Sequence, residues 1–464
     1  MWPLRGREIP ERCCPGQWQL QSMEEETADM TMGRNKPIRV LGVDDSAVMR
    51  GVLRTLFERQ QKKHPADLPE MELCGLVEDG VECLAAVLRL RPDVVVLDLE
   101  MPRMHGLDVL EQLRLEEPAL PVIMCSSYTD QGARSTLDAL ALGASDYVMK
   151  PARQNDLATA METLASQLLP KIASLAGSGR LRRQVSPEGE AGRAASPAGP
   201  AGDFGMETAM DAPARHSGVS GAAGALVEIV VIGVSTGGPS ALEAVLPKLT
   251  EDFPVPVMIV QHMPKLFTGA LAERLDRCCP LRVREAQDGA ELRAGTIWLA
   301  PGDAHMEASK PAGASAEGGG EGGPRRAVIQ LHQQRPLNHC KPSVDYLFSS
   351  AARTYGAGTL ALVMTGMGAD GLTGARLVHE SGGTVLTQDA ATSAIWGMPG
   401  RVFQAGISRE PLPLTRLAGE LTLRVNAGRS GRGSGGASRK ATAAPPKDET
   451  AATFARTEVT HELL

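Results

Sequence analysis

The chain has 464 residues, more than one typical domain holds, so two or three domains are expected. Its formal net charge of −7 argues against a nucleic-acid-binding protein, because such proteins concentrate positive charge. None of its eight cysteines forms a C-x-x-C pair, and no apolar run approaches the roughly 20 residues that span a bilayer. We therefore expect a cytoplasmic protein with reduced thiols and no direct membrane insertion.

The first segment, residues 1–37, shows neither the periodicity of a helix or strand nor the continuous apolar core of a signal peptide. It is predicted to be a disordered N-terminal extension. The alternative is a true start at Met23, Met30 or Met32, which mass spectrometry of the native N-terminus would reveal.

Residues 38–170 alternate apolar segments with helical patterns, which predicts an α/β domain with a doubly wound parallel sheet. Val48, Val52 and Leu56 illustrate the helical spacing of apolar positions. Five strands are predicted, at residues 38–43, 71–77, 93–97, 121–125 and 146–149.

Polar residues follow four of these five strands. Asp44 and Asp45 follow the first, Asp98 the third, Ser126 the fourth and Lys150 the fifth. Carboxylates gathered at one sheet edge repel unless a divalent cation binds them, and hard oxygen ligands suit Mg²⁺. The lysine offers a positive charge to a phosphoryl oxygen. Solvated loop charges would explain any one of these positions, but not the whole set.

The motifs VDDS at 43–46, LDLEMP at 97–102 and MKP at 149–151, together with Ser126, resemble the response-regulator receiver domain. The resemblance implies a flavodoxin-like fold and phosphorylation at Asp98 by a chemotaxis-type histidine kinase. It implies Ser126 as the switch hydroxyl, Lys150 as the phosphate contact and Tyr147 near the aromatic switch position. It also implies that Mg²⁺ is held by Asp44, Asp45, Asp98 and the backbone carbonyl of Glu100.

Two segments outside the domains have a different composition. Gly, Ala, Ser, Pro and Arg dominate residues 171–225, which predicts a flexible linker, and its arginines at 180–183 are interpreted as solvated charge. Similar residues dominate 426–464, which predicts a disordered tail. A second domain is therefore expected over residues 226–425.

The second domain is organised around Ser235, which follows the apolar run 227–232. Pro239 suits the first turn of a helix, so Ser235 is expected beside the free N–H groups of a helix N-terminus, where an oxyanion is favoured. A glycine-rich turn with an ordinary serine would look the same. The interpretation therefore depends on finding partners for the serine.

Two partner residues also follow apolar runs: His262 after 255–260, and Asp370 beyond 359–364. The carboxyl ends of parallel strands are where such sheets build sites. A serine hydroxyl needs a base to take its proton, and the base needs a carboxylate to orient it. The order Ser, His, Asp and the absence of G-x-S-x-G exclude the α/β-hydrolase family.

The motifs IGVSTGGP at 232–239, QHMP at 261–264 and MTGMGADG at 364–371 resemble the catalytic domain of chemotaxis-type protein-glutamate methylesterases. The resemblance covers about residues 226–425. It implies hydrolysis of glutamate methyl esters on methylated chemoreceptors, deamidation of glutamines, and no cofactor for the esterase. The implied roles are nucleophile, general base, orienting acid and backbone oxyanion donor for Ser235, His262, Asp370 and Met367.

Other polar residues of this domain receive no catalytic role. The segments KPSVD at 341–345 and QD at 388–389 also resemble the family, but no chemistry is assigned to them. His305 is interpreted as structural or substrate-side, as are His332, His339 and His379. Residues 309–326 are interpreted as an insertion that lengthens a hairpin loop.

Three other functions agree less well with the sequence. A non-enzymatic phospho-signalling adaptor disagrees with the intact Ser, His and Asp. A nucleotide phosphate loop at residues 233–238 lacks the G-K-[ST] ending, and a transcription factor lacks a helix-turn-helix signal. Within the favoured interpretation, the unphosphorylated receiver is expected to cover the catalytic cleft, and phosphorylation of Asp98 to expose Ser235.

Overall fold

The structure is a computed structural model that describes residues 36–63, 68–151, 157–185, 225–311, 327–427 and 429. These residues form two α/β domains, each built on a parallel sheet, which confirms the predicted fold class. The predicted N-terminal extension lies outside the described residues except at Lys36 and Pro37, and the predicted tail lies outside them beyond residue 429.

The N-terminal domain contains a five-stranded parallel sheet with the order β2-β1-β3-β4-β5. The third and fourth strands are shifted one residue later than predicted. Asp98 and Ser126 are therefore the last residues of these strands and do not follow them. The strands are β1 Ile38–Val43, β2 Met71–Val77, β3 Val94–Asp98, β4 Val122–Ser126 and β5 Asp146–Met149. The helices are α1 Ala47–Lys63, α2 Gly80–Leu90, α3 Gly106–Glu116, α4 Asp130–Ala141 and α5 Leu157–Val185.

Helix α5 corrects the prediction of a flexible linker from residue 171. The helix continues through Pro170 to Val185, so residues 171–185 are helical. Ile172 and Leu175 continue an apolar stripe that is buried in the same cluster as strands of the first domain. Burial of this stripe outweighs the composition that predicted a linker. The rest of the predicted linker, residues 186–224, lies outside the described residues.

The second domain contains a six-stranded parallel sheet with the order β13-β12-β6-β7-β9-β8. Strand β6 is buried along its whole length, and it lies between β12 and β7. The strands are β6 Ile229–Val234, β7 Val257–Gln261, β8 Arg282–Glu285, β9 Thr296–Leu299, β12 Thr359–Val363 and β13 Thr384–Thr387. The helices are α6 Gly238–Val245, α7 Lys265–Cys278, α8 Val344–Tyr355, α9 Leu372–Glu380, α10 Met398–Gln404 and α11 Leu414–Asn426.

An antiparallel hairpin accompanies this sheet. It pairs β10, His305–Ser309, with β11, Val328–His332. The predicted insertion falls between these two strands, and its residues 312–326 lie outside the described part of the chain. Over the residues that the structure describes, no helix has both the length and the apolar content to cross a membrane.

Side chains of the two domains contact each other along α4 and β5 of the first domain. The ring of Tyr147 on β5 stacks on the ring of Phe267 on α7, with centroids 4.8 Å apart. Ser240 on α6 donates a 2.8 Å hydrogen bond to the carbonyl of Leu140 on α4. The first domain therefore lies against the face of the second domain where α6 begins.

Candidate functional site

Ser235 lies in the turn between β6 and α6, and its backbone is held on both sides. Its N–H donates to the carbonyl of Thr365 at 2.9 Å, and its carbonyl accepts from Gly238 N–H at 2.8 Å. Gly237 has φ +76°, which favours glycine, and a Cβ at Gly238 would displace the side-chain oxygen of Gln261, so the turn is closely packed. Ser235 Oγ has no hydrogen-bond partner among the described residues.

His262 follows β7 and is bonded to Asp370, which lies beyond the end of β12. Because β6 has β7 and β12 as its two neighbours, the sheet brings Ser235, His262 and Asp370 to one edge. His262 Nε2 lies 2.8 Å from Asp370 Oδ2, and the His262 N–H donates to the carbonyl of Val234, the residue before Ser235. The three residues that the sequence singled out therefore meet at the carboxyl ends of three adjacent strands.

Two neighbours, Asp370 and Cys340, raise the pKa of the His262 imidazole. Burial lowers the pKa of His262, but hydrogen bonds with the Asp370 carboxylate and the Cys340 thiol outweigh burial and raise the pKa to about 9. The Cys340 sulfur lies 3.6 Å from Nδ1, the nitrogen that does not face Asp370. Within the described residues, no hydrogen bond joins His262 to Ser235 Oγ.

Asp370 is buried and accepts hydrogen bonds from the start of helix α8. Ser343 Oγ donates to Oδ1 at 2.8 Å, the N–H of Val344 donates to Oδ2 at 2.7 Å, and the N–H of Asp345 donates to Oδ1 at 3.2 Å. Burial alone would raise the pKa of Asp370, but His262 and these donors lower it. A helix N-terminus thus keeps the carboxylate ionised.

Sequence reasoning missed this role of the segment at 341–345. Its signal was present, since a serine before an apolar helical pattern marks a helix start. Asn338 adds a contact from the preceding loop, with Nδ2 donating to Asp370 Oδ1 at 3.2 Å and to Asp345 Oδ2 at 2.8 Å. Burial and the nearby Asp370 raise the pKa of Asp345 to about 6.

Met367 lies in the loop after β12, close to Ser235. A Cβ at Gly366 would lie 2.8 Å from the Cβ of Ser235, so this loop passes directly over the serine. The N–H of Met367 donates to no group in the described part of the chain. Its side chain is partly buried against a hydrophobic cluster that contains Ile395 of this domain and Ile172 and Leu175 of α5.

His305 is fully buried in the hairpin and makes structural contacts. Its Nε2 lies 3.2 Å from the carbonyl of Arg335, and its ring contacts those of His332 and Tyr346 at centroid distances of 5.1 and 4.3 Å. These contacts agree with the interpretation of His305 as structural or substrate-side, which stays a prediction.

The first domain gathers its predicted acidic residues at the carboxyl end of the sheet. Carboxylate oxygens of Asp44, Asp45 and Asp98 lie within 4.8 Å of one another, and Lys150 Nζ lies 2.7 Å from Asp98 Oδ2. Burial raises the pKa of Asp98 to about 6 against the opposing effect of Lys150. Three carboxylates facing a single lysine form a hard-oxygen donor set, which fits Mg²⁺.

The predicted switch residues, Ser126 and Tyr147, contact α4 and the second domain. Ser126 Oγ accepts a 2.7 Å hydrogen bond from Thr136 and donates to the carbonyl of Gly132, both on α4. Tyr147 is buried in the contact with Phe267 of the second domain. The switch region and the interdomain contact therefore share the same elements.

A polar chain that sequence reasoning missed connects the receiver sheet to the residue beside Ser235. Thr236 Oγ1 donates a 2.6 Å hydrogen bond to Asp146 Oδ2, and Lys171 Nζ on α5 donates to Asp146 Oδ1 at 2.8 Å. None of these three residues has a local sequence signal, because each contact joins separate elements.

Two family models match the chain, one in each domain. Residues 40–162 match the model of the response regulator receiver domain, and residues 230–421 match that of the CheB methylesterase. A crystal structure of the Thermotoga maritima CheB methylesterase catalytic domain is 38% identical with a TM-score of 0.39, covering 42% of this chain and 97% of that one.

Relatives that share both domains are similar over most of their length. A protein-glutamate methylesterase/protein-glutamine glutaminase of Nocardioides sp. is 42% identical over 84% of this chain and 95% of its own. A relative of the same description from Trichodesmium erythraeum is 39% identical over 83% of this chain and 99% of its own. With its receiver and CheB methylesterase domains, the chain belongs to the family of protein-glutamate methylesterases/protein-glutamine glutaminases.

Proposed function

We propose that the chain removes methyl groups from glutamate methyl esters of methylated chemoreceptors, and deamidates glutamines, through Ser235, His262 and Asp370. The observation that carries the proposal is the 2.8 Å contact of His262 Nε2 with a buried Asp370, at the sheet edge where the Ser235 hydroxyl has no hydrogen-bond partner among the described residues. A glutamine amide presents the same type of acyl carbon as the ester.

The reaction follows from the atoms available at this edge. Ser235 Oγ attacks the ester carbonyl while the imidazole takes the hydroxyl proton. Because Nε2 is engaged by Asp370, Nδ1 is the nitrogen that takes it. Methanol leaves with this proton, and a water molecule then hydrolyses the acyl-enzyme through the same base. The N–H of Met367 is proposed to donate to the oxyanion, a contribution typically worth about 10²–10³ in rate.

The receiver is proposed to control this reaction. A chemotaxis-type histidine kinase transfers its phosphoryl group to Asp98, so that the phosphohistidine P–N bond breaks and a P–O bond forms. Mg²⁺ would be held by Asp44, Asp45, Asp98 and the carbonyl of Glu100, and it would neutralise charge on the phosphoryl oxygens. Ser126 and Lys150 are proposed to contact the new phosphate.

The interdomain contact supports control by occlusion. Asp146 of the receiver is bonded to Thr236, the residue after Ser235, and Met367 packs in a cluster with residues of α5. Phosphorylation that turns Ser126 toward Asp98 would disturb α4 and β5, the elements that make this contact. Separation of the two domains would then open the cleft.

Methanol release from methylated receptor membranes tests the function. Ser235→Ala is expected to abolish it, while Ser381→Ala, at the end of α9, is expected to retain wild-type turnover. Near wild-type turnover by Ser235→Ala would contradict the proposed nucleophile. Methanol release by the wild type also separates the enzyme from a non-catalytic adaptor.

A further inference from the structure

The cysteine that contacts the general base is a feature that the proposed reaction does not use. Cys340 Sγ lies 3.6 Å from His262 Nδ1 and 3.4 Å from the carbonyl of Asn338. Cys340 is half-buried, and 14% of the His262 side chain remains exposed, so a small solute can reach the pair. A thiol and an imidazole nitrogen that face each other form a pair of soft donor atoms.

The distance between these atoms fits one metal geometry. Zinc binds cysteine sulfur at about 2.3 Å and histidine nitrogen at about 2.0–2.1 Å, and a tetrahedral angle then separates the two donors by about 3.6 Å. The separation in the structure is 3.6 Å. An ion between Sγ and Nδ1 would therefore need little movement of either side chain.

The second nitrogen of His262 supports the same arrangement. Histidines that bind metals donate their other ring N–H to a carboxylate, which fixes the ring and its tautomer. His262 Nε2 has such a partner in Asp370 Oδ2 at 2.8 Å, and Asp370 is itself held by Ser343 and the N–H of Val344. The ligand atoms of His262, Cys340 and Asp370 all lie within 4.8 Å of one another.

We propose that His262 and Cys340 bind Zn²⁺, and that the bound ion inhibits the hydrolase by occupying Nδ1, the nitrogen that must take the proton of Ser235. The inhibition rests on the proposed function, whereas the binding does not. Thiolate and imidazole ligands select zinc over Mg²⁺, whose oxygen ligands lie at the receiver carboxylates. The chain thus offers separate sites to a hard and a soft cation.

Inhibition is tested on the full-length protein, freed of metal with a chelator and assayed for methanol release against increasing Zn²⁺. Each variant is compared with its own metal-free activity. Zn²⁺ is expected to inhibit the wild type reversibly. Cys340→Ser is expected to need at least about tenfold more Zn²⁺ for the same inhibition. Cys278→Ser, which changes an exposed cysteine of α7, serves as the matched control and keeps the wild-type response.

Binding is tested separately with Co²⁺, whose thiolate-to-metal absorption band reports a cysteine ligand without any assay of activity. The wild type and Cys278→Ser should show the band, while Cys340→Ser, Cys340→Ala and His262→Gln should lose intensity in it. Zinc inhibition of Cys340→Ser at the wild-type concentration, or an unchanged cobalt band in both Cys340 variants and His262→Gln, would overturn the proposal. A band that depends on Cys340 in a protein without methylesterase activity would uphold the site and reject the proposed function.

Discussion

The hydroxyl of Thr236 donates a 2.6 Å hydrogen bond to the carboxylate of Asp146, across the boundary between the two domains. Both residues are buried, and Asp146 is also bonded to Lys171. Thr236 directly follows Ser235, so this bond fixes the receiver sheet against the turn that carries the proposed nucleophile. The receiver therefore contacts the second domain one residue away from the proposed nucleophile.

Loss of this contact is expected to release the receiver. A hydrogen bond to a charged group typically contributes about 1.5–3 kcal/mol, and about 1.4 kcal/mol changes an equilibrium tenfold. Thr236→Val should therefore raise unphosphorylated methanol release by about tenfold or more and reduce further stimulation by a phosphodonor. Thr236→Ser keeps the donor and should stay near the wild-type rate. Equal basal rates for the valine and serine variants would contradict the role of the bond.

The protonation of His262 predicts the pH dependence of the unphosphorylated enzyme. The pKa of His262 is raised to about 9, so at neutral pH the imidazole holds a proton and cannot take one from Ser235. The proton is lost only as pH rises through about 9, and kcat/KM for methanol release should rise over that range. Asp370→Asn removes the carboxylate that favours the charged ring, so the pKa should fall.

Proton NMR of the His262 ring would measure the pKa of His262 directly, in the wild type and in Asp370→Asn. Titration of His262 near its ordinary value of about 6.5 in the wild type would contradict the expectation. The NMR measurement also separates ionisation of the base from any pH effect on the domain contact.

The strands could be predicted from sequence because each is a short apolar run, and the proposed site residues because each follows such a run. The order of the strands is not a local property. That β6 lies between β12 and β7, which brings Ser235, His262 and Asp370 together, depends on the whole sheet. The Thr236–Asp146 bond joins residues 90 positions apart, neither of which has a distinctive neighbourhood.

Helix α5 shows an error of the other kind, in which local composition predicted a linker where the chain is helical. The Gly, Ala, Ser, Pro and Arg residues that dominate from residue 171 onward predicted a flexible linker. Ile172 and Leu175 lie at helical spacing after Leu168, and all three are buried against the receiver. Tertiary packing therefore extends the helix beyond the point at which local propensity would end it.

The donors around Asp370 are expected to position the carboxylate for catalysis. Ser343 Oγ donates to Oδ1 in a buried setting, and a hydrogen bond to a charged group is worth about 1.5–3 kcal/mol. Ser343→Ala should lower kcat/KM for methanol release by roughly tenfold or more above about pH 9, where the His262 imidazole is neutral, and should shift the pKa of His262 measured by NMR, because Asp370 is less firmly held. Ser350→Ala is the control, because it also removes a buried serine of this helix, one that is bonded to Leu347 and Ala308 and not to Asp370. A loss of activity in Ser343→Ala without any change in the pKa of His262 would point to a folding defect instead.

Removal of Mg²⁺ or of the Asp98 carboxylate is expected to abolish control by phosphorylation while leaving basal hydrolysis intact. The oxygens of Asp44, Asp45 and Asp98 lie within 4.8 Å of one another, and under the proposed function a divalent ion would offset their repulsion of a further negative group. Chelation of Mg²⁺ should therefore block two effects of a small phosphodonor. These are the mass increase of the protein by one phosphoryl group and the stimulation of methanol release. Asp98→Asn should do the same with Mg²⁺ present, whereas Asp108→Asn on α3 should not. Phosphorylation that persists in Asp98→Asn would show that another residue is the acceptor. It would contradict the proposed link between the acidic cluster and the catalytic cleft.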